Sequence, residues 1–577
     1  MMPRRRLLVG VVIAAVLLVG GRTLSALYAD HSWYGAMAAA ALWSERAGDM
    51  LLIYGIGWVV AVLLAFVNLS ALGRSIGSLT LPRRLANVEF GEAVPRKYLD
   101  RVAAVLSVAI AAALTPALPN WTLLALARLK VSFREADPYF QHDLGFYTTW
   151  LPFEKALYSW TTLLVVSVSM LVVVLYSLTP GLRWEKAGLR MSAYVRRHLS
   201  VLAALLLLIT MWSYRLESYD LLIRGSGDDR VFSYVDHQWL LPGLLLLSLV
   251  TAAAAITVLL SGWMGQLRTS FVAVTVIVIL SVTVQEIVPL VVRRVTPKTI
   301  QLTRERSYIA TRAEYTRRAF ALNVVSGARL SGPAVSAALD SVTVNAAGQQ
   351  LLRQDSLVYP GARGVVVISD PQLDVAGPRL GDGLSRLAYA WAYQSLDLLS
   401  DSIPRRARLI SVRDVRTRVG QLAPIFAQGS MIEPMFHADT LYWKLELYSA
   451  SSNYPLSQHF ILAGEDRSYF RHAGTALLNG RTGRVMIAAD PNPDPIAQAW
   501  MTAFPSSSDY RAPGIARELT TSPWEPVSPQ SSITIDSTFR ASVTRLYNRM
   551  RAALAAGDLK AFGVAYDSLG ALIAPHK

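Results

Sequence analysis

Apolar residues dominate seven long runs in the first half of the chain, at about 7–27, 51–72, 102–118, 158–178, 199–214, 239–260 and 270–292. A helix needs about 20 apolar residues to cross ~30 Å of hydrocarbon. The pattern therefore predicts seven transmembrane helices, the third and fifth short enough to be tilted differently or extended by flanking residues. Trp33–Tyr34, Trp150, Trp160, Trp184, Trp212–Tyr214 and Trp239 stand at or near run ends, where a ring with an apolar body and a polar tip suits the headgroup zone.

Beyond residue 292 the long runs stop and shorter periods take over. Residues 303–322 predict an amphipathic helix at the membrane surface, with Tyr308, Tyr315 and Phe320 for packing and Arg304, Arg306, Arg312, Arg317 and Arg318 near headgroups. Residues 364–369 form a β-branched run and 384–399 a helix. Residues 441–448 alternate Leu441, Trp443, Leu445 and Leu447 against Tyr442, Lys444 and Glu446, the period of a half-buried strand. Ala476–Leu478 and Arg484–Ala488 flank a Gly-rich turn and predict a hairpin. Residues 539–556 and 559–573, broken at Gly557-Asp558, predict a helical hairpin. The expected fold is a seven-helix membrane bundle (1–292), an α+β extracytoplasmic domain (293–504), a Ser/Pro-rich linker (505–534) and the terminal helical hairpin (535–577).

Composition agrees. Only 17% of the 577 residues are charged, against roughly 25% in soluble proteins, which argues against an ordinary cytosolic enzyme. The net charge of +16 is shared as +7 up to residue 292 and +9 after it. That spread suits anionic lipid or an envelope polymer, and no nucleic-acid partner is expected. The absence of cysteine removes disulfides, thiol nucleophiles and thiolate metal sites.

Lys and Arg set the orientation. The tail 1–6 and loops 73–101, 179–198 and 261–269 hold 15 in 64 residues, while loops 22–50, 119–157 and 215–238 hold 9 in 92. The denser set faces the cytoplasm, so the N-terminus is inside and everything after Arg293 is outside the cell membrane. Arg4–Arg6 before an apolar core also resembles a signal peptide, but no good cleavage site follows near Leu24–Ala29, which favours an uncleaved anchor. Cleavage would leave the other spans in the same orientation.

Asp137-Pro-Tyr-Phe-Gln-His-Asp-Leu-Gly-Phe-Tyr147, followed by Leu151-Pro-Phe153, resembles a hallmark of uncharacterised protein family 0182. Further similar segments follow in the family's order: Ser233-Tyr-Val-Asp236, Glu305-Arg-Ser-Tyr-Ile309, Thr316-Arg-Arg-Ala-Phe320, Val419-Gly-Gln-Leu-Ala-Pro424, Tyr442-Trp443, Ser452-Asn-Tyr-Pro455 and Ala489-Asp-Pro-Asn-Pro-Asp-Pro-Ile496 with Ala499-Trp500. Gly557-Asp558 closes the series. The resemblance implies a prokaryotic membrane protein of about seven spans with a large external domain. It lends no activity and no catalytic residues. After Phe504 a short linker stands where the family continues through a longer stretch.

The candidate chemistry is a polar cup at the outer membrane boundary. Asp137, His142 and Asp143 precede the fourth run; Arg215, Glu217 and Asp220 follow the fifth; Asp236 and His237 precede the sixth; and Glu286 lies about two turns before the end of the seventh. Brought together, these groups would suit a divalent cation through oxygen ligands or a polar headgroup. The bland reading is a set of caps and ion pairs fixing the external domain to the bundle. Of the nine, Glu286 is the position expected to matter most for function, because an ionisable group in a span is costly unless paired or wet.

Other patterns are weaker. Asp490-x-Asn492-x-Asp494 opens like a calcium loop but has Pro495 and Met501 at the positions of the required Gly and Glu. Gly73-Arg-Ser-Ile-Gly77 follows a transmembrane run rather than a strand. Tyr442, Trp443, Tyr448 and Tyr454 could stack sugars or simply build a sheet. No phosphate-binding Gly-rich loop and no zinc spacing occurs, so no cofactor is expected and an ATP-driven machine would need a partner subunit.

Three functions fit. The first is an envelope interaction or assembly protein working through its external domain on a protein, an anionic lipid or a polymer, with the lipid bilayer as its other partner. The second is a transporter or channel with a polar site at the outer boundary, although paired interrupted helices are missing. The third is an outer-leaflet enzyme acting on lipid or polymer with carboxylates such as Asp137, Asp143 or Asp236.

Overall fold

A computed structural model describes residues 2–77, 96–321 and 356–504, apart from 180, 186–187, 228–230, 296, 438–439, 463 and 491; beyond 504 it describes 545–550 and a few positions up to 568. The first helices are α1 (Met2–Ala36), α2 (Ala40–Gly77), α3 (Arg96–Leu114), α4 (Trp121–Arg128) and α5 (Leu151–Ser177). A short hairpin of β1 (Leu182–Glu185) and β2 (Gly188–Met191) leads into α6 (Ala193–Arg224). Then come α7 (Leu241–Met264), α8 (Leu267–Val282), α9 (Val288–Val295) and α10 (Lys298–Ala319). The Gly73–Gly77 segment is the last turn of α2, a helix end and not a nucleophile turn.

Six helices, not seven, are long and apolar enough to cross a membrane among the described residues: Ala40–Arg74, Lys97–Ala117, Phe146–Ser177, Ala193–Arg224, Asp236–Met264 and Leu267–Val295. The first expected span, 7–27, lies in α1. Most side chains of its apolar opening lie outside the described residues, and the rest of the helix carries Arg22 and Asp30. The other runs are extended at their ends. The run at 199–214 continues to Arg224 because Leu216, Tyr219, Leu221, Leu222 and Ile223 are buried in a core that also holds Tyr454 and Leu456. Burial against the second half of the chain, rather than lipid, carries those last turns.

Within the bundle α8 packs on α7, α7 on α6, α6 on α5, α5 on α2 and α2 on α3, leaving α8 and α3 at the ends of the series. Polar groups mark two levels. Tyr176 Oη and His198 Nδ1 are 2.8 Å apart, and His198 Nε2 is 2.8 Å from Asn68 Oδ1, joining α5, α6 and α2. Toward the other end Asp49 pairs with Arg128, and Glu154 lies 3.7 Å from Arg215. Along α2, α5 and α6 the levels are separated by 19 (Asp49–Asn68), 22 (Glu154–Tyr176) and 19 (His198–Glu217) residues. At 1.5 Å per residue that is about 28–33 Å, the thickness of a hydrocarbon core.

The second half supplies β3 (Val366–Ile368), α11 (Gly383–Tyr393), β4 (Arg408–Ile410), α12 (Val415–Leu422), β5 (Ala427–Gln428), β6 (Glu433–His437), β7 (Thr440–Ser451), β8 (Phe460–Leu462), β9 (Glu465–Arg467), β10 (Tyr469–Asn479), β11 (Val485–Ala489) and α13 (Pro495–Ala503). The main sheet is antiparallel, β11-β10-β7-β5, with β6 also on β7. The expected strand and hairpin are its centre, with Leu445 opposite Ala476 and Leu477 opposite Met486. Trp443, Leu445 and Leu447 are buried while Lys444, Glu446 and Tyr448 are half-buried on the other face. The helix expected over 384–399 is α11 followed by a separate 3-10 turn, Leu396–Leu399.

The sheet packs onto the bundle through one apolar core. Trp33, Tyr34, Leu42, Trp121 and Leu124 join Leu422, Phe426, Trp443, Leu445 and Trp500 in a single cluster. Residues 1–323 and 337–512 form one compact unit, and 324–336 with 513–577 a second. In the second unit residues 545–550 are helical. The expected linker and most of the expected terminal hairpin lie outside the described residues.

Candidate functional site

The cup residues lie where the sheet meets the bundle. The loop before α5 is folded around Asp137, which is fully buried. Its carboxylate accepts backbone N–H bonds from Tyr139 (2.9 Å), Phe140 (2.6 Å) and His142 (2.8 Å), and the Tyr147 hydroxyl at 3.1 Å. Asp143 accepts from Ser132 Oγ (2.7 Å) and the N–H groups of Phe133 (2.9 Å), Arg134 (3.1 Å) and Gly145 (2.7 Å). Burial would raise the Asp143 carboxyl, but these donors outweigh it and hold the group below its ordinary value. Gly145 has no alternative here, because a Cβ would sit 1.8 Å from the Val131 carbonyl oxygen.

Asp236 repeats the device at the head of α7. It too is fully buried, and it accepts from Ser226 Oγ, Ser233 N (2.8 Å) and Ser233 Oγ (2.9 Å). Both loops run into a π-helical turn, Phe146–Trp150 and Asp236–Leu240, and a third, Thr283–Ile287, follows α8. Aromatic rings join the two loops: Tyr139 lies 4.7 Å from His237 and 4.8 Å from Phe232, and His142 lies 4.7 Å from Phe146. The Tyr308 hydroxyl is 2.7 Å from His237 Nδ1, and the Tyr219 hydroxyl 3.4 Å from His142 Nε2.

The remaining candidates form a belt. Lys155 pairs with Asp220, Gln285 donates to Glu217 at 2.8 Å, and Arg215 faces Glu154 while its guanidinium lies 5.7 Å from the Tyr219 ring. Glu154 also accepts from both Trp150 Nε1 (3.1 Å) and Trp212 Nε1 (3.0 Å). Glu286 stands apart. It is exposed on the third π-helical turn, while its neighbour Gln285 turns inward to Glu217. Glu154, Lys155 and Gln285 were missed in the sequence. The signal for the first two was available: they follow Leu151-Pro-Phe153 immediately, one turn before an apolar run.

Segments carrying the family resemblance meet here. Glu305 accepts from Tyr234 N at 3.0 Å, and Thr316 Oγ1 accepts from Gln458 N at 2.9 Å. Burial raises the Glu305 carboxyl above its usual range. Arg318 pairs with Glu135, and Leu456 N donates to Leu222 O at 2.7 Å. A cavity of about 10 Å³, lined in part by Tyr139, Phe232, Tyr308, Arg312 and Leu456, lies among them, room for about one water.

Chemically the junction is a set of satisfied caps. Asp137, Asp143 and Asp236 each point their oxygens at donors of their own loops. Among the described residues no group of three or more His, Asp or Glu side chains is placed to hold a metal ion. The calcium-like run is likewise divided: Asp490 faces His472 Nδ1 at 2.8 Å, while Asp494 is buried against Ser449 Oγ (2.7 Å) and the Tyr469 hydroxyl (3.1 Å) and caps α13. Of the aromatics considered for sugar stacking, Trp443 and Tyr454 are core residues.

A second polar cluster, not foreseen, lies on the half-exposed face of the sheet. His472 is held between Asp490 and Glu446 (Nε2 to Oε2, 2.8 Å), and Glu446 also takes Thr475 Oγ1 (2.6 Å) and Lys444 Nζ (2.9 Å). Burial opposes the charge on both groups, but the contacts win. His472 is raised above its ordinary value, and Glu446 is lowered to about 2. Tyr448 stacks on Phe470 beside them, centroids 4.5 Å apart. Pairing across β7 and β10 is the signal that would have found it: Thr475 lies opposite Glu446 and His472 opposite Tyr448.

Fold and junction together define a polytopic helical membrane protein with a sheet domain built onto one end of its bundle. The chain belongs to the uncharacterised protein family UPF0182, whose model matches residues 7–350 and 373–511. It is similar to UPF0182 proteins of Kocuria rhizophila (21% identity over 657 residues, 88% of this chain and 66% of the relative) and Kineococcus radiotolerans (23% over 631, 83% and 61%). A third, from Geobacter sp. strain M21, is 30% identical over 206 residues, 36% of this chain and 23% of the relative. The chain thus spans less than two thirds of the length of these relatives. No solved structure matches.

Proposed function

We propose that this protein is an interaction or assembly component of the cell envelope, anchored in the cytoplasmic membrane and working through a sheet domain on the extracytoplasmic side. The observation that carries the reading is the shared core. Trp33, Tyr34, Leu42 and Trp121 of the helical part pack directly with Trp443, Leu445 and Trp500 of the sheet part, so the sheet is presented as a rigid platform rather than on a flexible tether. The cup carboxylates cap the loops where that platform meets the bundle, and Glu446, Lys444, His472 and Asp490 give its open face a fixed pattern of charge. The orientation rests on the denser Lys and Arg of the opposite loops.

Photo-crosslinking from Tyr442 or Lys444 in intact membranes tests the proposal. A discrete adduct with one protein or polymer is expected, and it should vanish on Glu446→Lys. Uniform, unsaturable labelling from both positions would sink the platform reading. It would then favour transport through the bundle, the alternative reading, which solute flux in proteoliposomes measures directly.

A further inference from the structure

Most of the exposed apolar residues lie on the six long helices, where lipid accounts for them. Another group does not. Leu384 and Leu387 of α11 are 85% and 46% exposed, and Leu396 and Leu399 of the following 3-10 turn 81% and 40%. Scattered surface leucines are ordinary, but a contiguous set within sixteen residues marks a contact surface.

The other side of this element is well fixed. Arg386 is buried and donates to the carbonyls of Gly381 (3.2 Å), Ser400 (3.0 Å) and Ile403. Tyr389, Ala390 and Leu398 pack in one core with Leu380, Leu409 and Ala29 of α1. The leucines therefore point outward from a rigid support.

What they meet follows from their neighbour. Leu384, Leu387 and Trp391 are spaced three and four apart, one face of a helix. Trp391 ends that stripe on α1, where a Cβ at Gly21 would lie 3.7 Å from its ring. Along the same stretch α1 leaves Leu17, Leu18, Val19, Leu24 and Leu27 exposed, so the helix against which Trp391 packs carries exposed apolar side chains of its own. Arg22 on α1 is exposed beside them, and exposed Arg405 and Arg406 lie in the loop that pairs back to the start of α11 through Arg405 and Asp382. Asp382, Asp397 and Asp401 are exposed around α11 as well, so the rim is charged with both signs, and an apolar face with a strongly charged rim is the pattern of a helix lying in the headgroup–acyl boundary.

We infer that α11 and its 3-10 turn form a membrane-seated foot of the sheet domain, with Leu384, Leu387, Leu396 and Leu399 inserted among lipid chains of the leaflet on that side. This surface is separate from the sheet face assigned to partner binding.

The chain has no cysteine, so single spin labels can be placed without background. The full chain is reconstituted in nanodiscs of phosphatidylcholine and phosphatidylglycerol, labelled at Leu384→Cys, Leu396→Cys and, as the aqueous reference, Glu465→Cys. Collision with oxygen and with a water-soluble nickel chelate is then measured. The expected result is an oxygen-to-nickel ratio several-fold higher at both leucine positions than at 465. A ratio equal to that at 465 puts the leucines in water and overturns the inference. Protection from both reagents overturns it too, because the surface is then covered by protein.

Discussion

Replacing Asp137 separates a structural cap from a reacting carboxylate. In Asp137→Ala three backbone N–H groups, those of Tyr139, Phe140 and His142, lose their acceptor in a fully buried site. Each orphaned donor costs about 1–3 kcal/mol, and partial relaxation of the loop leaves a loss of about 3–6 kcal/mol. Asp137→Asn is milder. One oxygen still accepts from Tyr139 and Phe140, while the new amide nitrogen faces the N–H of His142, and the Tyr147 hydroxyl can turn to accept from it. One lost bond and one donor facing a donor cost about 1–3 kcal/mol. Thermal unfolding of both variants in detergent, with crosslinking from the sheet face as the functional readout, should give the order wild type, Asn, Ala in stability. Crosslinking should fall only in proportion to folded protein. An Asn variant as stable as wild type but functionally dead, or with an altered lipid or glycan profile in cells, would refute the cap argument and make Asp137 a reacting group.

Other consequences are equally direct. Gly145→Ala forces a Cβ to within 1.8 Å of a carbonyl oxygen and should lower stability by about 3 kcal/mol or more, whereas Gly35→Ala, with open space around it, should be neutral; equal melting curves would refute the first claim. His472, raised above 6.5, contributes stability that is complete below that pH and lost as pH rises through its folded value. Glu446, lowered from 4.5 to about 2, contributes stability that is present above pH 4.5 and lost as pH falls toward 2. The pair therefore favours folding most between pH 4.5 and 6.5, and His472→Gln should flatten the alkaline limb of a stability–pH curve; an unchanged limb counts against the clamp. Trp443→Ala removes a buried ring and the 2.9 Å bond from its Nε1 to Val358 O and should cost about 3–5 kcal/mol, read as earlier loss of both halves on heating; a sheet domain that melts alone would contradict the shared core.

Much of the architecture was readable in the sequence because hydrophobic runs and period-two alternation record burial directly. The strand around Trp443, the hairpin after it and six of the spans all show in that way. Helix ends did not, since the last turns of α6 are buried by protein rather than by lipid and carry Arg215, Glu217 and Asp220 among their apolar residues. The roles of Asp137, Asp143 and Asp236 depend on loop backbone folding back on a side chain, which no spacing rule encodes. Gln285 and Glu286 are adjacent, and a π-helical turn at Thr283–Ile287 shifts the helical phase there, so the 3.6-residue period cannot say which of them turns inward. Asn68, Tyr176 and His198 stand on three separate helices, α2, α5 and α6, and their contact is visible only in three dimensions. Arg418 is the clearest surprise. It sits fully buried in α12 between Val415 and Val419, donates to Val412 O (2.5 Å) and Ala376 O (2.7 Å), and stands 5.7 Å from the Trp33 ring. Burial lowers its guanidinium to about 10, and a charge alone would have placed it outside.

The central claim, a rigid sheet platform that holds an envelope partner, is tested most directly by purifying the chain from native membranes in mild detergent and identifying by mass spectrometry everything that remains bound. The account predicts one envelope protein or polymer in fixed stoichiometry, released by Glu446→Lys while the chain stays folded. A chain recovered alone, or with only lipid or a metal ion at the bundle junction, would contradict it.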